Sequence, residues 1–273
     1  MHPQSTTGVP DVCEARGGES GDPEDFNGAE GGIPCLRVTN ATVPLHSINE
    51  NRMKQPAIII PDGLIAPDGQ PQPRLLLHAC CAPCSSAIVE WLMAHQIQPV
   101  IYYYNPNIYP REEYEIRKNE SKRHADSLGI QWLDDDWRHT QWLSECATLK
   151  DEPERGKRCK LCFYHRLLAT AQKAQQLGIT YFGTTLASSR WKNLEQVNAA
   201  GIAACQTLND NHQGQPAPEP NTPHGQPGGE PLAFWAQNWR KDGLQERRNQ
   251  LLKEYHFYNQ LYCGCEFSMP KEK

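Results

Sequence analysis

His78-Ala79-Cys80-Cys81-Ala82-Pro83-Cys84 places three thiols within five positions, directly after the apolar run Leu75-Leu76-Leu77. Neighbouring cysteines pair poorly with each other, because the eight-membered disulfide ring strains the peptide between them, but they can ligate one metal centre together. A helix is expected just after the array, and the free N–H groups and dipole of its N-terminus favour thiolate there. A second group, Cys159-Lys160-Leu161-Cys162, is flanked by Arg155, Lys157 and Arg158, which have the same effect. Five thiols exceed the four that a tetrahedral zinc site or a cubane iron–sulfur cluster requires, so a surplus thiol points to a second metal or an open, working position. Spacing alone is also satisfied by a zinc knot with four cysteine ligands. A third group, Cys263-Gly264-Cys265, can close a strained, easily reduced disulfide, add metal ligands, or simply be buried thiols.

The elements that must position these groups alternate between strand and helix signals. Residues 74–79 read as a short buried strand, 85–96 as a helix and 98–105 as the next strand. Residues 110–129 form an amphipathic helix with Pro110 suited to its first turn and Gly129 to its end. A third strand is expected over 130–137, a long helix over 158–178 and a fourth strand over 179–186. This order predicts an α/β fold: a parallel sheet flanked by helices, of the Rossmann-like class. Ligands in such sheets bind at the carboxyl ends of the strands, where HACCAPCSS and TTLASS both fall.

Residues 1–35, rich in Gly, Pro and acidic side chains, are expected to be disordered, and 36–73 to form a loosely structured extension. One domain is expected over 74–268, interrupted by a low-complexity insertion over 206–231, with 269–273 as a tail. Residues 1–73 carry 10 acidic against 4 basic side chains, while the remainder is close to balanced. That balance does not single out a nucleic-acid binder, but it leaves room for a local basic patch. No apolar run approaches the roughly 20 residues of a membrane span, and no secretory signal opens the chain, so a cytoplasmic location is expected. Eleven cysteines in such a setting argue for metal or redox chemistry rather than a disulfide framework.

HACCAPC, YYYNPNIYPREEYEIRKNE, RCKLCFYHRL, FGTTLASSRWKNLEQV and the terminal WRKDG…YNQLYCGCEFS occur in that order. Together they make the chain resemble the epoxyqueuosine reductase family of the QueH type over about 74–204 and 232–268. The resemblance implies a fold similar to that of ATP pyrophosphatases. It also implies an enzyme that reduces epoxyqueuosine to queuosine at the wobble position of tRNAs with GUN anticodons. A [4Fe–4S] cluster, an additional iron and no cobalamin are implied with it. Carried over, Cys80, Cys81, Cys159 and Cys162 are the metal ligands, and Cys263 and Cys265 the redox thiols. Several members have Asp at the position of Cys84, so here a thiolate takes that place or the second iron is held differently.

His78, Tyr104, Asn105, Thr184 and Thr185 end the strands around this site and are candidates for lining it or acting on substrate, although the threonines equally suit a helix cap. For tRNA, Arg117, Lys118 and Arg240 lead a set that includes Arg111, Lys122, Arg123, Lys241, Arg247 and Arg248, with Trp191, Trp235 and Trp239 as stacking platforms. An electron donor is the remaining partner. The competing readings are a zinc-stabilised binding module and an ATP-dependent tRNA-modifying enzyme on the same fold; the latter calls for a Gly-rich phosphate loop after the first strand.

Overall fold

The central strand β1 (Arg74–His78) buries Leu75, Leu76 and Leu77 completely, as a strand covered by helices on both faces must. The computed structural model describes residues 58–213 and 231–269. β1 pairs in parallel with β2 (Gln98–Tyr103) on one side and β4 (Tyr181–Thr184) on the other. β3 (Trp132–Asp134) and β5 (Ala233–Phe234) extend the sheet to the order β3-β2-β1-β4-β5, all parallel. The order in which strands are laid down therefore reverses between β1 and β4, and the crevice at their carboxyl ends is the place where such sheets take ligands.

Helices α1 (Ala82–Ala94) and α2 (Arg111–Ser127) cross β1 to β2 and β2 to β3, and α6 (Leu244–Glu254) packs on α1. α3 (His139–Cys146), α4 (Lys157–Gln176) and α5 (Leu194–Gln213) form the second packed group. Local chemistry sets the ends: Pro110 stands at the cap of α2, and Gly129 and Gly178, both with positive φ, follow α2 and α4. α1 starts three residues earlier than the sequence suggests, because Pro83 carries the φ of a first helical turn and needs no hydrogen-bonded N–H there. Cys84 thus lies inside the first turn rather than ahead of it.

The expected insertion begins later than the sequence suggests. α5 continues to Gln213, so Gln206–Gln213 is helix, not the start of an unpacked insertion; Leu208 is buried, and the Asn209 side chain brackets Leu232 by hydrogen bonds to its N–H and C=O. Those bonds lead into β5, a two-residue edge strand that carries no periodic signal of its own. In the expected extension, the described residues 58–73 make one short turn, Asp62–Leu64, pinned by buried Leu64 and by the Ile58 N–H donating to Asp242. The rest of that extension, the expected disordered leader and residues 214–230 lie outside the described residues.

His124 on α2 sits edge-on between Tyr255 and Phe257, with Nε2 unpartnered, and burial lowers its pKa to about 4. Because the folded value is the lower one, the unfolded chain takes up the proton first as pH falls. Stability is therefore full above about pH 6.5 and declines progressively towards pH 4. His124→Phe removes about 2 kcal/mol of that decline, checked by urea unfolding at pH 7.5 and 5.0; an unchanged difference contradicts it.

Candidate metal and substrate site

Cys80, Cys81 and Cys84 are buried, and their sulfurs all lie within 4.8 Å of one another. Cys81 caps α1 and Cys84 occupies its first turn, so the helix start brings the third thiol round to the first two. The three behave as one acid system. Hydrogen bonds from Cys81 and Cys84 hold the Cys80 thiol well below its ordinary range, with Lys192 and Arg166 assisting, while burial pushes Cys81 up and the bond to Cys80 raises Cys84 to about 11. The three therefore titrate together rather than singly, and a metal bound there would displace their protons. The Gln260 amide donates to Cys81 Sγ at 2.9 Å and leaves its own Oε1 buried without a partner.

The residues expected to line the site form the wall behind it instead. His78 Nε2 donates to the Tyr104 carbonyl at 3.2 Å, and Nδ1 accepts from the Thr184 hydroxyl at 2.8 Å. Since a carbonyl only accepts, both nitrogens are committed in the neutral ring, and burial lowers its pKa to about 3. Asn105 donates to the Ala79 carbonyl at 2.9 Å and accepts from buried Arg166. Thr185 accepts from the Cys80 N–H at 3.2 Å and faces Cys80 Sγ at 3.6 Å. None of His78, Tyr104, Asn105, Thr184 and Thr185 is among the residues lining the cavity. They fix the backbone of the cysteine loop.

A cavity of about 600 Å³ opens in front of Cys80 and Cys84. Its lining includes Arg117, Arg166, Arg190, Lys192 and Arg248, and no Asp or Glu. Cys263 belongs both to this cavity and to a smaller adjoining one that Cys159 lines. Cys159 accepts from the Arg155 N–H at 3.2 Å, and Cys162 is buried beside Cys146, Cys265 and Trp142. The structure therefore groups Cys84 with Cys80 and Cys81, and sets Cys159 and Cys162 on α4 outside that close trio. The nine described cysteines, Cys263 and Cys265 included, are free thiols. Gly264 between the latter two has φ +100°, and an added Cβ would meet the Arg117 guanidinium at 2.8 Å.

Of the residues expected to grip tRNA, Arg117 is 2% exposed and already engaged: it pairs with Glu113 at 2.6 Å and donates to the carbonyls of Tyr262 and Cys263. Lys118 is paired with Asp134. Arg240 donates to the carbonyls of Ser189 and Lys192. Trp235 and Trp239 are buried, whereas Trp191, 42% exposed, stands at both cavities. The sequence does not single out Lys192, Arg166 and Gln260, because only the fold brings them to Cys80, Cys81 and Cys84.

A family model described as epoxyqueuosine reductase QueH matches residues 75–213 and 226–271. The chain belongs to this family. It is 39% identical over 196 residues to the epoxyqueuosine reductase QueH of Histophilus somni, covering 72% of each chain. To that of Haemophilus influenzae it is 38% identical over 213 residues, 78% of each, and to that of Thermotoga maritima 30% identical over 202 residues, 73% of this chain and 92% of the other. As a member of the epoxyqueuosine reductase family, the chain is an enzyme, an oxidoreductase. The cysteine trio and its cavity lie within the matched residues. No helix among the described residues is long and apolar enough to cross a membrane.

Proposed function

We propose that this chain reduces the epoxide of epoxyqueuosine in GUN-anticodon tRNA to the cyclopentene of queuosine, using an iron–sulfur centre held by its cysteines. The observation that carries this reading is a trio of thiols within 4.8 Å at the wall of a cavity lined by cations and by no carboxylate. Soft sulfur donors select iron–sulfur or zinc over hard cations. Removing the epoxide oxygen consumes two electrons and two protons and releases water, so the enzyme needs an electron donor as a partner. Cys80, Cys81 and Cys84 hold the metal, with Cys159 and Cys263 of the adjoining cavity, and Cys162 one turn along α4 from Cys159, as the thiols that complete a [4Fe–4S] set or hold an additional iron. Bound there, such a centre supplies electrons and a Lewis acid for the oxirane oxygen.

The chain's own residues supply position and exclusion. The strap 259–263 and the loop 188–192 wall the cavity, and the cations favour a polyanionic substrate over a neutral one. A cytoplasmic location fits a tRNA substrate and reduced thiols. The loop after β1 carries cysteines where an ATP-dependent enzyme on this fold has a Gly-rich phosphate loop. A zinc module without catalysis does not fit membership of an oxidoreductase family.

The test is incubation of the anaerobically prepared chain and a chemical reductant with epoxyqueuosine-containing tRNA, followed by nucleoside mass analysis. Loss of one oxygen from the modified base supports the reading; an unchanged base contradicts it. In the same assay Trp191, as the exposed aromatic at the mouth, stacks a base beside the reacting nucleoside. Trp191→Ala raises KM for tRNA about 10-fold or more with kcat little changed, and an unchanged KM removes Trp191 from the interface.

A further inference from the structure

Among the buried cations of the cavity, Arg117, Arg166 and Lys192, the last is the one whose charged group has no conventional partner among the described residues. It is 9% exposed, and its ammonium makes no hydrogen bond and no ion pair with a carboxylate among the described residues. Arg117 has Glu113, and Arg166 has Asn105. A buried ammonium is stable only beside compensating charge. The groups that line the same cavity as Lys192 and can carry that charge are thiols: Cys80 and Cys84 of the trio, and Cys263 of the strap, with Arg166 as an opposing cation.

The backbone that presents Lys192 is built for fixity. Arg240 donates to the carbonyls of Ser189 and Lys192, and Arg155 to those of Trp191, at 2.9 Å, and Arg190, at 3.4 Å. All four carbonyls of the 189–192 loop are thus taken by two guanidinium groups from different parts of the chain. Arg155 is itself held by Gln196, which donates to its carbonyl at 2.7 Å. A loop clamped this way delivers a point charge to one place.

We propose that Lys192 is the counter-cation of the cysteine cluster, a positioning residue that offsets the negative charge the thiols acquire on binding metal. The proposal rests on the reading of the trio as a metal site. Three thiolates within 4.8 Å in a water-poor wall repel one another, and each successive deprotonation costs more than the last. A fixed ammonium beside Cys80 and Cys84 lowers that cost without occupying a coordination position. Such outer partners typically change metal affinity by about 10- to 100-fold.

The experiment titrates the reduced full-length chain with Co²⁺, following the thiolate-to-cobalt absorption band, for the wild type, K192M, K192Q and K192R. In parallel, the midpoint potential of the anaerobically reconstituted chain is measured. The proposal expects K192M and K192Q, with wild-type circular dichroism, to bind Co²⁺ about 10- to 100-fold more weakly. It expects K192R to recover most of the affinity, and the K192Q potential to fall, since removing a cation disfavours an added electron. Should K192M unfold, K192Q and K192R carry the comparison. Wild-type affinity and potential in K192Q, or K192R as weak as K192Q, overturns the role of Lys192 alone. Wild type binding Co²⁺ no better than a C80A/C84A variant overturns the metal reading beneath it.

Discussion

Cys80→Ala removes iron and turnover together: epoxyqueuosine reduction falls about a thousandfold, equivalent to about 4 kcal/mol of transition-state stabilisation. Cys80 is the thiol on which the trio depends. Its N–H is fixed by Thr185, its sulfur lies 3.8 Å from Cys81, and hydrogen bonds from Cys81 and Cys84 lower its pKa, so in the proposed reading it is the central ligand of the trio. Cys159→Ala is expected to act in the same direction, through the thiol at the adjoining cavity. Cys205→Ala is the control. That thiol is buried against the Leu232 carbonyl on α5, and its loss leaves iron content and turnover intact. Retention of full iron and activity in Cys80→Ala contradicts the assignment, as does an equal loss in Cys205→Ala.

Arg117→Met destabilises the protein by about 3 kcal/mol or more, because it strands a buried carboxylate. Glu113 on α2 accepts from Arg117 and from the Tyr258 hydroxyl at 2.8 Å, while Glu120 accepts the Tyr258 N–H at 2.7 Å. These bonds, with those from Arg117 to the carbonyls of Tyr262 and Cys263, tie the carboxyl-terminal strap to α2 and place Gln260 against Cys81. Urea unfolding should show the loss, and limited proteolysis should show cleavage of the strap at protease levels that spare the wild type. Glu113→Gln added to Arg117→Met recovers part of the stability by removing the unpaired charge. A loss below about 0.5 kcal/mol is what an exposed arginine would give, and contradicts the buried network.

The α/β architecture was legible in the chain because its signals are local. Leu75-Leu76-Leu77 reads as a buried strand, and Pro110, Gly129 and Gly178 bound their helices through backbone preferences alone. β5 was not legible, since two residues carry no period and its pairing with β4 is decided by the bracket from Asn209. Gln206–Gln213 was misread for a related reason: a polar helix end with one buried leucine has the composition of a loop. At the site, the cysteines declared themselves by spacing, whereas the groups that tune them did not. Arg117 was visible as a basic residue on an amphipathic helix, and its i−4 partner Glu113 was visible too. What buries the pair is a strap some 145 residues further along the chain. His78 was correctly placed at a strand end, but whether it faces substrate or the Tyr104 carbonyl depends on the neighbouring strands.

Iron, acid-labile sulfide and the optical spectrum of the anaerobically purified chain test the central claim most directly, read beside a Cys80→Ala/Cys84→Ala variant. A brown protein with broad visible absorption and about four or more irons per chain, lost in the double variant, is the expected result. A colourless wild type holding only zinc, or iron that the double variant keeps in full, would show that the cysteine trio holds no electron-carrying centre.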